Sequence, residues 1–155
     1  MLPVLLAVSA GVALFIARRL HIDIGGLWVV LSALINTQPT LLGSLTSARD
    51  QLLGTLVGVV FGAVFGLLRE PAIGLALAVV LSAAACRAIA RLRGVIYIAC
   101  GAAAIVIVLP AGKPSYVTAL NRLEDYLLGA AVALVVASSA SLAARWHRPK
   151  LQRLP

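Results

Sequence analysis

Gly54, Gly58, Gly62 and Gly66 stand at every fourth position of one apolar run, GTLVGVVFGAVFG. In water such a helix is weak, because each glycine costs about 1 kcal/mol relative to alanine. In a bilayer the backbone has no water to bond, and the helix is enforced. Residues four apart share a face, so the glycines make a flat stripe on which another helix backbone can rest. A chain built round this run is expected to live in a membrane, with its third span packed tightly against a neighbour.

Composition agrees. The chain is 62% hydrophobic and 12% charged, where soluble domains carry about 25% charged residues. That leaves no separate water-soluble domain for enzymatic machinery. The net charge of +8 raises nucleic acid as a partner. The cations, however, sit in short clusters between apolar runs, the pattern of membrane topology signals, so no nucleic-acid partner is expected. Cys86 and Cys100 each lie in an apolar run without a metal-ligand partner at useful spacing. They read as small buried side chains, and neither metal nor cofactor is expected.

Six apolar segments are expected as spans: roughly 2–17, a second from near 22 through 35 that is then interrupted, 51–68, 72–88, 94–109 and 126–144. The first resembles a signal-peptide core, but no cation precedes it and Arg18 and Arg19 follow it, so it reads as a true span. The side holding both termini carries Arg49, Arg87, Arg91, Arg93, Arg145, Arg148, Lys150 and Arg153, and the other side Arg18, Arg19, Arg69, Lys113 and Arg122. The excess predicts both termini in the cytoplasm of a bacterial inner membrane. Residues 146–155 read as a basic tail that also meets anionic lipid heads.

The halves 1–70 and 71–145 look alike. DQLLG (50–54) opens one span and DYLLG (125–129) another. ARRL (17–20) answers ARLR (90–93), Trp28 answers Tyr97, and Pro39 answers Pro110. Three spans per half is an odd number, so the two copies must be inverted. The expected fold is therefore all-α, a polytopic membrane protein of six transmembrane helices in two inverted three-helix repeats. In such proteins the solute site forms at the repeat interface.

The second span is interrupted by Asn36, Thr37, Gln38 and Pro39 before apolar character resumes at Leu41. Pro39 removes a helical hydrogen bond, and such a break is tolerated only against protein or a watery cavity. Asn36, Gln38 and Thr40 are candidate solute-lining residues, with Pro110 marking the matching break. The bland alternative is an interfacial turn ending a short helix. Arg49 and Arg122 each have an acid nearby and could hold a carboxylate through paired hydrogen bonds. Alternatively each pairs with its own acid, Asp50 or Asp125, as a staple at a helix start. Trp28 and Tyr97 fit an interfacial aromatic belt or a stack on an aromatic solute. Gly54, Gly58, Gly62, Gly66 and Gly129 are expected helix-packing positions. His21 and Asp23 form a candidate proton-linked pair that reads more simply as solvated loop. All five acids read as lying at span ends, which argues against a proton or cation pathway. No hydrolase elbow, zinc-protease pair, phosphate loop or dinucleotide fingerprint is present, so no enzyme is expected.

The order Trp28, Gln38-Pro39-Thr40, then ARDQLLGTLVG (48–58), with NRLEDYLLGAAVA (121–133) at the last span, resembles the fusaric acid resistance and aromatic acid exporter family. The resemblance covers nearly the whole chain, and the plant aluminium-activated malate transporters look like more distant relatives. It implies a six-helix membrane domain that exports small organic anions such as aromatic carboxylates, working as a homodimer in the lipid bilayer. The alternatives are an anion channel and a non-transporting membrane subunit that binds a partner through the glycine face.

Overall fold

The computed structural model describes residues 2–20, 25–89, 94–109 and 114–151, and side chains for all of these except 25 and 144–151. His21, Asp23, Arg91, Arg93, Pro110 and Lys113 lie outside the described residues. Six helices follow one another: α1 (Leu2–Arg19), α2 (Gly25–Asn36), α3 (Leu41–Phe65), α4 (Pro71–Ala88), α5 (Ile96–Val108) and α6 (Ser115–Leu151).

Four of these stretches are long and apolar enough to cross a membrane: Leu2–Arg19, Leu41–Phe65, Pro71–Ala88 and Ser115–Ala143. With 12 and 13 residues, α2 and α5 rise only about 18–20 Å. The hydrocarbon layer is about 30 Å thick. Every helix turns large apolar side chains outward, among them Val4, Leu27, Val60, Val80, Val108 and Val135, each more than half exposed. Alanine dominates the buried positions instead. This inside-out distribution suits lipid, where close backbone packing replaces hydrophobic burial as the cohesive force.

Two expected boundaries move. α3 opens at Leu41 rather than Gln51, and α6 at Ser115 rather than near Tyr126. Pro39 stops α2. Thr40 then caps α3 by accepting a hydrogen bond from the Gly43 N–H at 3.1 Å, the bond an N-cap hydroxyl makes. No proline follows before Phe65. Residues 41–50 are therefore the start of α3, not a resumption of the second span. At α6 the Pro114 carbonyl accepts from the Thr118 N–H at 3.2 Å, and NRLEDYLL continues as helix. Arg49 and Arg122 thus lie inside helices and leave the loop count, and so do the neighbouring acids Asp50 and Asp125.

The chain forms two compact units, Met1–Ala48 with Leu128–Pro155, and Arg49–Leu127. In the first unit, Leu5, Ala13 and Ala17 of α1 cluster with Val29 and Ala33 of α2 and with Val132 and Val136 of α6. In the second, Ala78 of α4 clusters with Ala103 and Ile107 of α5, and Val59 of α3 with Val106 and Ala119. Pro71 occupies the first turn of α4 after Glu70, where a missing N–H costs nothing.

Burial recurs along the chain in a fixed register. Leu5, Ser9, Ala13 and Ala17 of α1 are matched 69 residues on by Gly74, Ala78, Ser82 and Cys86 of α4. Val29, Ala33, Asn36 and Thr37 are matched 70 residues on by Ala99, Ala103, Val106 and Ile107. The buried positions of α3 from Ser44 to Gly62 recur in α6 from Ser115 to Ala133, 71 residues on, with half-buried Arg122 at the place of buried Gln51. This register pairs Arg122 with Gln51. It leaves Arg49 matched with exposed Leu120, not with Arg122 as the sequence motifs suggested.

Candidate solute site

The glycine stripe of α3 lies on α5. A methyl added to Gly54 would stand 2.9 Å from Ile98 Cβ, and one on Gly62 at 2.9 Å from Val106 Cβ. On Gly58 it would overlap the Ala99 carbonyl oxygen and reach Ala102 Cβ at 2.8 Å. Gly66 meets Ser115, whose hydroxyl donates to the Gly66 carbonyl at 3.0 Å. In the other unit Gly129 of α6 lies on α2, where a methyl would come to 2.5 Å from both Val29 O and Ser32 Cβ.

Buried polar side chains gather where the first unit is held together. Ser9 and Asn36 are fully buried, and Ser32 and Thr37 nearly so. The Thr37 hydroxyl donates to Ser9 Oγ at 2.8 Å, linking α1 to α2. Asn36 Nδ2 donates to the Ser32 carbonyl at 2.9 Å and to Ser32 Oγ at 3.3 Å. The corner beyond is stitched to α3: the Gln38 N–H donates to buried Ser44 Oγ at 3.0 Å, and Ser47 Oγ to the Ile35 carbonyl at 3.1 Å. Hydroxyls and amides of this kind can bind a polar solute but supply no net charge.

A second polar cluster lies in the other unit. Gln51 and Thr55 of α3 and Thr118, Asp125 and Tyr126 of α6 are buried. Arg122 Nη1 donates to Asp125 Oδ2 at 3.0 Å, with the two side chains 12% and 6% exposed. The Tyr126 hydroxyl bonds the backbone of Leu52, which sets this stretch of α6 against α3. Asp125 therefore lies ten residues inside a helix that can cross a membrane, not at a span end. Not every acid therefore lies at a span end, and the position of the acids no longer disfavours a proton pathway. The pair is an i,i+3 interaction within α6 rather than a staple at its start.

The other sequence candidates scatter. Asn36, Gln38, Pro39 and Thr40 meet at the α2–α3 corner, with Gln38 half-buried and Pro39 and Thr40 exposed. Trp28 is half-buried on α2, Tyr97 is 89% exposed in the first turn of α5, and Arg49 is exposed on α3. Sequence reasoning passed over Ser9, Ser32, Ser44, Gln51, Thr55 and Thr118. Their only signal was a polar residue on the small-residue face of an apolar helix, as Ser9 sits four residues before Ala13. Among the described residues no group of three His, Cys, Asp or Glu side chains could hold a metal ion.

A family model described as fusaric acid resistance protein-like matches residues 12–136 of the 155. No curated protein and no solved structure matches the chain. With most of its length matched, including all of α2 to α5, the chain belongs to the fusaric acid resistance protein-like family.

Proposed function

We propose that the protein transports small organic anions, aromatic carboxylates foremost, out of the bacterial cytoplasm. It works as two inverted three-helix halves, with both termini on the cytoplasmic side of the inner membrane. One observation carries this reading. Gly58 of α3 rests on Ala99 and Ala102 of α5, and Gly129 of α6 rests on Val29 and Ser32 of α2. The glycines are 71 residues apart and their seats 70. The third helix of each half thus lies on the middle helix of the other half. α3 and α6 also pair head to tail: Leu52 bonds Tyr126, Val59 clusters with Ala119, and Gly66 meets Ser115. Third helices of opposite direction support a reading in which the halves have opposite orientation.

Inverted repeats with short helices at corresponding places are the membrane signature of a solute pathway, and α2 and α5 are those short helices. All six helices then cross, α2 and α5 as short spans. In this reading Asn36, Thr37 and Gln38 line the constriction, Arg49 attracts the carboxylate at a helix surface, and Arg122 holds it. The protein works as a homodimer, as the family resemblance implies.

The test is flux in proteoliposomes containing this chain alone, with 4-hydroxybenzoate and malate and the leak of protein-free vesicles subtracted. Saturable flux that falls at least tenfold in Asn36→Ala and Gln38→Ala, with folded yield kept, supports the reading. Flux that follows voltage without saturating makes the protein a channel. No flux from folded protein overturns transport and leaves the membrane-subunit alternative.

A further inference from the structure

We infer that Asp125 is the proton-carrying group of the transport cycle, exchanging its ion pair with Arg122 for a proton when Arg122 takes up the solute carboxylate. The inference rests on the transport reading and assigns its coupling.

Three observations meet here. The Arg122–Asp125 pair, 3.0 Å long and nearly excluded from the surface, lies inside a helix that can cross the membrane. Ionisable groups at such depth are costly, and they face interiors or solute paths. Second, the fold does not need the charges. The same helix surface on α3, 71 residues earlier, puts Gln51 and Gly54 at the corresponding places and packs without an ion pair. Third, among the described residues the surroundings hold few charges. Among the described residues, the charges acting on Asp125 are Arg122 and Glu124 of its own helix. α3, set against α6 through Leu52 and Tyr126, carries buried Gln51 and Thr55 on that stretch, and neither titrates. Arg49 and half-buried Asp50 of α3 complete the ionisable groups of that stretch.

The exchange balances. A proton from water forms an O–H bond at the Asp125 carboxylate, the guanidinium keeps its charge, and the solute carboxylate takes the vacated fork. The site carries no net charge before or after. One proton therefore moves with one monocarboxylate in the same direction, and the step is insensitive to membrane voltage. Export runs when the acid accumulates inside. An Arg122 without this competitor would hold the anion at every pH and carry a net negative charge across.

The experiment compares the full chain with Asp125→Asn and Asp125→Glu in proteoliposomes. It reads 4-hydroxybenzoate flux under an imposed pH difference or an imposed potassium diffusion potential, with protein-free leak subtracted. Wild type and D125E are expected to respond to the pH difference and to change less than twofold with voltage. D125N is expected to lose the pH response and to gain at least a fivefold response to voltage. If D125N still follows the pH difference, the assignment is overturned. If D125N fails to fold, proton stoichiometry in wild type decides: a trapped pH dye showing one proton per anion supports the assignment, and anion flux without proton movement overturns it. Saturable wild-type flux that follows voltage overturns this inference alone, whereas absence of any wild-type flux overturns the transport reading as well.

Discussion

Thr37 Oγ1 donates to Ser9 Oγ across the α1–α2 seam at 2.8 Å, and in the register of the chain those places are taken by Ile107 and Ala78 on the α5–α4 seam. At these matched places one helix pair is closed by a hydroxyl–hydroxyl bond and the other by apolar packing, although Cys100 Sγ of α5 donates to the Val79 carbonyl of α4 elsewhere on that seam. The geometry of the seam therefore does not require the hydroxyls. Interhelical hydrogen bonds in membranes contribute on average about 0.6 kcal/mol, which is too little to explain four buried polar side chains by stability alone.

The double substitution Ser9→Ala, Thr37→Ile copies the other seam. We expect folded yield and thermal midpoint in detergent to change little, since the lost bond is worth about 1 kcal/mol. Anion flux should drop at least tenfold. Equal losses of flux and yield would make the pair structural.

Gly58→Ala places a methyl on the Ala99 carbonyl. Overpacking of this kind costs about 1–3 kcal/mol, so the thermal midpoint should fall and aggregation rise. Gly11→Ala and Gly101→Ala meet nothing within 4 Å, and they should be neutral or stabilising by up to about 1 kcal/mol through helix propensity. A thermal scan of the three variants in one detergent checks the contrast.

Thr40→Ala removes the hydroxyl that caps α3 at Gly43. A lost cap costs about 1 kcal/mol, and Thr40→Ser should restore it. Because Thr40 is exposed and its hydroxyl is engaged in capping, we expect solute affinity to be unchanged in T40S. A changed Michaelis constant in T40S would place the residue in the solute path.

Arg122→Leu strands the Asp125 carboxylate. Breaking a buried pair by removing one partner costs about 3–5 kcal/mol, so folded yield should collapse. Arg122→Gln with Asp125→Ala, which approximates the uncharged face of α3, should recover most of the yield while flux stays absent. Recovery can be read by size-exclusion chromatography before any transport assay.

Part of this architecture was legible in the residues. The apolar runs, the punctuation by Arg-Arg, Pro and Gly-Pro segments, and the motifs round Trp28, Gln38 and Gly54 led to an all-helical membrane chain of this family. The starts of α3 and α6 were not legible. SLTSARD and NRLEDY are polar enough to read as loop, yet each contains good helix formers and no breaker. Thr40 and Pro114 set the starts instead. Asp125 was misplaced for the same reason: moving the helix start put it in the interior.

By itself, the sequence determined what depends on local chemistry. Runs of apolar side chains dictate helices in lipid, because an unbonded backbone is too costly there, and glycines four apart dictate one smooth face. Tertiary structure alone decided what that face meets, since a flat stripe fits any close backbone: α5 for Gly58, α2 for Gly129. It also decided that Arg122 meets Asp125 in a buried pair while Arg49, equally within a helix, stays exposed. Identical charges acquire different environments from helix rotation and packing, which no short stretch of sequence encodes.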